Sequence, residues 1–381
     1  MKVVFISNYL THHQEPFCNA MYSKLGKDFC FVETIAMEDE RVHMGWKSNT
    51  PPYIISAWKA IASEKRAEDC LAESDIIVIG ACSDEWYQRV KQSKAAIVFL
   101  YSERIFKKGA YQSIGPGAKR YKRKIEDLMN YKNTYMLSAS AFLPYDLSHI
   151  GLLKDKCLKW GYFPPAKEYE DINKLIGWKH PASILWAGRL IGWKHPEDAI
   201  YTAEKLIQNG YEFTLDIIGD GELRPKLEKM IADKRLDDFV HILGFMPQED
   251  VREHMEKADI YLFTSDRHEG WGAVLNESMN SACAVVANKE IGSVPYLIED
   301  GVNGLIYDRR KRRSLYNKVS KLLDDSDFKK QIQKNAFSTI TNQWNGEVAA
   351  ARLLEVSENI LSGAMKFSDN GPCSVAEVLR G

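Results

Sequence analysis

The stretch from Asp266 to Glu277, DRHEGWGAVLNE, sets two carboxylates, Glu269 and Glu277, on either side of a glycine pair, Gly270 and Gly272. Glycine lets a backbone pass close to a ligand where a side chain would obstruct it. The N–H groups of Trp271, Ala273 and Val274 would then point at that ligand, as the unpaired first amides of a helix do. Such amides, together with the positive end of the helix dipole, attract phosphate. Glu277 follows Ala273 by about one helical turn, and helical side chains lean toward the N-terminus, so its carboxylate reaches back over the same pocket. Glu269 lies in the loop opposite the amides. This spacing suits a phosphate seat flanked by two acids for sugar hydroxyls. Two glutamates at a helix end are also ordinary solvated acids; the glycine pair and the apolar run at residues 260–263 favour the ligand-binding reading.

A second set of charges lies upstream. A strand over residues 183–187 ends in Gly188 and Arg189, and Lys194 precedes a helix that opens at Pro196, a residue suited to a first helical position. Fixed cations are worth most where negative charge develops, as on a departing diphosphate. The heptapeptide LIGWKHP occurs twice, at residues 175–181 and 190–196. Only the second copy falls between a strand and a helix, so the phosphate role is assigned to it; the first, with Trp178 and Lys179, is expected in the interdomain connection.

The segment from Glu269 to Glu277 resembles the Glu-x7-Glu motif of the retaining glycosyltransferases of family four, among the glycosyl transferases of group 1. That family has the GT-B fold, an α/β architecture of two Rossmann-like domains whose parallel sheets face each other across a cleft. The resemblance implies that Glu269 and the amides of Gly270, Trp271, Gly272, Ala273 and Val274 hold the donor sugar and phosphate, and that Glu277 binds the ribose. Gly188, Arg189 and Lys194 resemble the family's Gly-Arg…Lys element, which implies a hold on the donor diphosphate. The loop HILGFMP at residues 241–247 resembles the one that brackets the nucleotide base through backbone groups, here Phe245 and Met246. Resemblance extends over residues 183–308; the N-terminal half matches by architecture alone.

Length and composition agree with this class. A chain of 381 residues fits two domains. An apolar fraction of 45% and a charged fraction of 27% are those of a soluble globular protein. A net charge of −1 gives no global field for nucleic acid. The seven cysteines form no C-x-x-C pair, as in a reduced, cytoplasmic protein. The opening apolar run is short and turns polar at once, which reads as a first strand and not a signal peptide. No apolar run approaches the roughly 20 residues that a bilayer span requires. A G-x-G-x-x-G after the first strand and a Walker-type phosphate loop are both lacking, which disfavours a nicotinamide-linked dehydrogenase and a P-loop enzyme. The string Asp325, Ser326, Asp327 reads as a turn and cap between helices, so no metal site is expected.

Strand and helix signals alternate along the N-terminal half, with strands expected at residues 3–6, 29–32, 76–79, 96–100 and 135–138 and helices reaching 25, spanning 58–71 and spanning 85–91. This order predicts a parallel sheet covered on both faces, with ligands at the carboxyl ends of its strands. The expected domains are residues 1–163 for the acceptor, 164–345 for the donor, and 346–381 as a helix returning to the first. Two N-terminal loops are of interest: the one after the first strand, with His12 and His13, and the one after Leu100, with Glu103. The histidines either cap the next helix in a solvated loop or contact acceptor or sugar; Glu103 either faces the cleft or forms a surface ion pair with Arg104. Residues 139–147 read as a short helix interrupted by Pro144. Lys119, Arg120, Lys122, Arg123 and Lys124 form the densest charge cluster. They are either a solvated helix face or a patch for anionic lipid or the diphosphate of a lipid-linked acceptor, at the inner face of a membrane.

The expected activity is therefore transfer of a sugar from a nucleotide-diphospho-sugar, with UDP favoured, to a saccharide or lipid-linked acceptor in surface polysaccharide synthesis. It would proceed with retention and without cofactor or metal. A nucleotide-sugar 2-epimerase and a catalytically silent nucleotide-sugar-binding partner are the alternatives left open.

Overall fold

The structure, a computed structural model, describes residues 1–38, 50–153, 155–311 and 313–380. The chain divides into two compact units, residues 1–165 with 343–381, and residues 166–342.

Among the described residues the first unit is built on seven parallel strands: β1 (Val3–Ser7), β2 (Phe29–Glu33), β3 (Ile54–Ser56), β4 (Ile76–Ile79), β5 (Ile97–Ser102), β6 (Asn133–Ser138) and β7 (Cys157–Lys159), in the order β3-β2-β1-β4-β5-β6-β7. Every residue of β1 and β4 is buried, as a parallel sheet covered on both faces requires. The strand order reverses between β1 and β4, so the switch point lies at the loops after these two strands, not after β5. At the β4 exit, a Cβ at Gly80 would come 2.8 Å from the Ser7 hydroxyl, so glycine lets the two exits approach.

Helix boundaries differ from expectation at two places. The helix expected from 58 begins at Ile61, with Trp58 left outside and exposed. Pro144 does not interrupt its helix; it sits in the first turn of Leu143–Ser148, where its missing N–H costs no helical bond. Near the C-terminus, Asn345 caps the helix Gly346–Leu361 by accepting from Val348 N at 2.9 Å. A Cβ at Gly346 would lie 2.6 Å from Phe17 N, so glycine lets this helix meet Glu15–Leu25 backbone to backbone.

The second unit holds six parallel strands: β8 (Ser183–Ala187), β9 (Thr214–Ile218), β10 (Val240–Gly244), β11 (Ile260–Phe263), β12 (Ala284–Asn288) and β13 (Leu305–Tyr307), in the order β10-β9-β8-β11-β12-β13. This is the doubly wound Rossmann order, with its reversal between β8 and β11. The loops that leave these two strands carry Gly188 and Arg189 on one side and residues 264–273 on the other. The core of the unit packs Leu190, Ile200, Leu215, Ile217, Leu262 and Val286.

Candidate functional site

Four short links hold the β8 and β11 exit loops together. Trp186 Nε1 donates to Thr264 Oγ1 at 2.7 Å, and that hydroxyl donates to Lys194 O at 2.7 Å. Asp266 N donates to Trp193 O at 3.0 Å. The Lys194 ammonium bonds directly to the Glu269 carboxylate, which also accepts from Ser265 Oγ at 2.9 Å. Both charges are largely sheltered, with side-chain exposures of 15% for Lys194 and 11% for Glu269, so water screens the pair weakly.

The β8 exit is shaped from below by the β9 exit. Gly188 N donates to Ile218 O at 3.0 Å and Leu190 N to Asp220 O at 2.9 Å. A Cβ at Gly219 would collide with the Gly188 carbonyl, and one at Gly221 would lie 2.6 Å from Leu190 O. Asp220 holds the turn, accepting from Gly221 N at 2.7 Å. Arg189, at the β8 end, is exposed, and its guanidinium has no hydrogen bond or ion pair among the described residues.

Between the two acids, Gly272 adopts φ +84°, and a Cβ there would run into the Phe263 ring. Among the described residues the N–H groups of Gly270, Gly272, Ala273 and Val274 meet no acceptor. The helix they lead into, Val274–Asn280, has only seven residues, so the loop amides themselves, more than a long dipole, are what this segment offers to an anion. Trp271 does not line the loop with its ring: the indole is fully buried and donates to Asn276 Oδ1 at 2.9 Å, anchoring the segment.

Glu277 is half-buried. Burial pushes its carboxyl pKa up, opposed by the hydrogen bond from Gln248 Nε2 at 2.6 Å and by the charge of Arg252. Gln248 opens the helix Gln248–Lys257 just after Phe245 and Met246, so it ties their loop to Glu277. Phe245 is 63% exposed and Met246 is half-buried, while Gly244 holds the loop at φ +80° with its carbonyl accepting from Gly219 N at 2.8 Å. Gln248 and Ser265 were not singled out from the sequence; neither belongs to a motif, and only the fold brings them to an acid.

In the first unit the structure gathers four residues from three distant parts of the chain. The His12 and His13 rings lie 3.8 Å apart, His13 stacks on Tyr162 at 5.5 Å, and the Tyr162 hydroxyl donates to Glu103 Oε1 at 2.7 Å. Glu103 takes its ion pair from Lys107 at 2.8 Å. The surface pair with Arg104, one of the two readings for Glu103, is not formed. Arg104 is buried and bound to buried Asp146 at 3.1 Å, whose other oxygen accepts from the amides of Ile105 and Phe106 at 3.0 and 2.9 Å.

The basic cluster lies on the helix Pro116–Met129 and divides into two groups. Arg120 and Lys124 both bind Asp84, which holds its carboxyl pKa down to about 2, and Lys122 lies 3.6 Å from Glu126. Lys119 and Arg123 are exposed and without partners among the described residues. A surface cavity is lined by Ser113, Lys119, Lys122, Ser148 and His149.

The two LIGWKHP copies fold differently. In the first, Lys179 is buried and its ammonium donates to four carbonyls, of Met255, Glu256, Ala258 and Ser281, at 2.7–3.1 Å. Burial lowers its pKa. Trp178 is 79% exposed, and Lys179 acts as an internal clamp for two helix ends. In the second, Gly192–Lys194 is a 3-10 turn that delivers Lys194 to Glu269.

Among the described residues no helix is long and apolar enough to cross a membrane, and no group of three or more His, Cys, Asp or Glu is placed to hold a metal ion.

Residues 170–339, within the second unit, match the family described as glycosyl transferases group 1. The chain is 33% identical over 166 residues to alpha-D-kanosaminyltransferase of Streptomyces kanamyceticus, covering 44% of this chain and 42% of that protein. It is 30% identical over 185 residues to the amylovoran biosynthesis glycosyltransferase AmsK of Erwinia amylovora, covering 47% of this chain and 45% of that one. The chain thus spans less than half the length of these relatives. In three dimensions it is similar to Anabaena Alr3699/HepE solved in complex with UDP, with a TM-score of 0.67 at 17% identity, over 95% of this chain and 100% of that one. A glycosyltransferase from Rickettsia africae ESF-5 gives a TM-score of 0.63 at 17% identity over 94% and 98%. The chain has the two-domain α/β architecture of the GT-B fold.

Proposed function

We propose that this chain is a retaining, metal-independent glycosyltransferase that moves a sugar from a nucleotide-diphospho-sugar to an acceptor hydroxyl. The observation that carries the reading is the Lys194–Glu269 pair beside the unpartnered amides of Gly270, Gly272, Ala273 and Val274, at the β8/β11 switch point of the unit that matches glycosyl transferases group 1. In the reaction the bond between the sugar's anomeric carbon and the diphosphate oxygen breaks. The acceptor oxygen bonds to that carbon from the same face, and the hydroxyl proton passes to the departing diphosphate, whose oxygen keeps the electron pair of the broken bond. Negative charge grows on the departing diphosphate, and Arg189, Lys194 and the loop amides offset it where it grows. Arg189 is suited to this because its guanidinium is uncommitted, and Lys194 because Glu269 fixes its position. Glu269 also accepts from sugar hydroxyls. Glu277, with Gln248, takes the ribose hydroxyls, and the backbone of Gly188, Phe245 and Met246 borders the phosphate and base.

UDP is favoured as the nucleotide, in line with the UDP bound in the structural neighbour named above. A lipid-linked or oligosaccharide acceptor in surface polysaccharide synthesis is favoured by the likeness to AmsK. His12, His13 and Glu103 are the groups of the first unit chosen for acceptor or sugar contacts. Lys119 and Arg123, aided by Lys122, Arg120 and Lys124, are chosen for contact with anionic lipid at the cytoplasmic face of a membrane. The test is a thermal-shift screen with uridine, guanosine and adenosine diphosphate sugars, followed by product analysis with the donor that stabilises most. A ligand that binds only the folded state raises its stability in proportion to RT ln(1 + [L]/Kd), so the preferred base stands out. Transfer with retained anomeric configuration is expected. An epimerised donor, or none consumed, contradicts the reading.

A further inference from the structure

His195 lies in the second LIGWKHP copy but carries no role in the reading of the donor site, and it is tightly constrained beside Lys194. It follows Lys194 directly and precedes the helix Pro196–Gln208 with backbone angles φ 50° and ψ 51°. That left-handed region is unfavourable for a residue with a Cβ and free for glycine. Nδ1 faces Glu197 Oε1 at 3.1 Å, and Nε2 faces Asp266 Oδ2 at 3.1 Å. An imidazole with a carboxylate oxygen on each nitrogen satisfies both contacts only when both nitrogens carry hydrogen, that is, as the imidazolium.

The charges around this ring come from three segments. Glu197 belongs to the helix that His195 precedes. Asp266 comes from the β11 exit loop, and its other oxygen is 2.8 Å from His268 Nδ1. Arg309 follows β13; its Nη2 lies 3.9 Å from Glu197 Oε1, and its Nε donates to Asp198 at 2.7 Å. Burial works against the charged ring, but the bonds to Asp266 and Glu197 outweigh it and hold the His195 pKa up at about 9.

We infer that His195 is a positioning residue of the donor site, whose imidazolium latches the Lys194 loop to the Glu269 loop and cancels two carboxylates that would otherwise repel a bound diphosphate. This deepens the proposed function and rests on it. Loss of the ring or of its proton removes the one charge shared by Asp266 and Glu197, leaving each with a single cationic neighbour, His268 or Arg309, and loosens the turn that carries Lys194. The loss falls mainly on kcat, since Lys194 is needed most where charge develops.

The test compares wild type with His195→Gln, which keeps polarity without charge, and His195→Gly, which removes the ring and relieves the backbone. At pH 7 both variants are expected to lose tenfold or more in kcat, with donor KM changed less than threefold. The wild-type to His195→Gln ratio should shrink toward one by pH 10, as the wild-type ring loses its proton. A merely structural role would lower turnover equally at every pH, so a ratio independent of pH overturns the inference. NMR of labelled histidine, with the signal assigned by its loss in His195→Gln, reads the latch without any donor. Titration near pH 9 supports it, and titration near the free value of about 6.5 overturns it. If wild type consumes no nucleotide-sugar, it is the donor-site reading that fails, and the titration still decides the latch.

Discussion

Lys194 and Glu269 are bonded to each other across 75 residues of sequence, each brought by the exit loop of a different strand at the β8/β11 reversal. A sheltered pair of this kind fixes a cation without consuming it. The ammonium has three hydrogens, and one carboxylate oxygen leaves the others available to a phosphate.

The glycine between the two acids is a steric requirement. Gly272→Ala places a Cβ at φ +84° against the Phe263 ring and 3.1 Å from Glu269 Cγ. Backbone strain of about 1–3 kcal/mol is expected, together with displacement of Glu269. Chemical denaturation and donor turnover should both fall. A variant with unchanged denaturation midpoint and turnover would mean that the loop is free to adopt another path.

Glu277→Ala is expected to weaken nucleotide binding about tenfold, the loss of one charged hydrogen bond, as read by calorimetry with UDP. Because burial raises the Glu277 pKa, the wild-type carboxylate takes up its proton at a higher pH than an ordinary glutamate. Wild-type affinity should therefore begin to fall at a mildly acidic pH, and Glu277→Gln should flatten that part of the profile. Equal affinities for wild type and Glu277→Ala would remove the ribose role.

His195 also has a signature in stability. Its folded pKa of about 9 exceeds the unfolded value of about 6.5, so the folded state binds the extra proton. The contribution is complete below pH 6.5 and is lost as pH rises through 9. The Tm difference between wild type and His195→Gln should accordingly be largest near pH 6 and smallest near pH 10. A difference that grows with pH would contradict the charged bridge.

Asp146→Ala removes the only carboxylate facing buried Arg104 among the described residues and two acceptor bonds to the β5 exit loop. An uncompensated buried charge costs about 3–5 kcal/mol. A large drop in Tm is expected, with Asp146→Asn intermediate. An unchanged Tm for Asp146→Ala would show that Arg104 finds water or another partner.

Much of the fold was readable because buried strands announce themselves as short apolar runs: 183–187 and 260–263 match β8 and β11 residue for residue. Strands β3, β7 and β13 escape such a reading, being three residues each, too short for any period to emerge, and β10 occupies residues 240–244, the first part of what reads as the base-bracketing loop 241–247. The candidate acids and cations of the second unit came from a motif, but their partners did not. The identical peptide LIGWKHP gives a buried clamp at Lys179 and a site lysine at Lys194, so local sequence cannot distinguish them; the surrounding carbonyls and Glu269 do. In the same way, Asp84 claims Arg120 and Lys124 from 36 and 40 residues away, which splits a cluster that looks uniform in the sequence.

The most direct measurement is steady-state turnover of the preferred nucleotide-sugar by Arg189→Ala and Lys194→Ala beside wild type. Removing a fixed charge from a leaving-group site costs a few kcal/mol in the barrier, so kcat should fall by about 100-fold or more while the Tm of Arg189→Ala stays unchanged. Near-normal kcat in either variant, with the fold intact, would contradict the account.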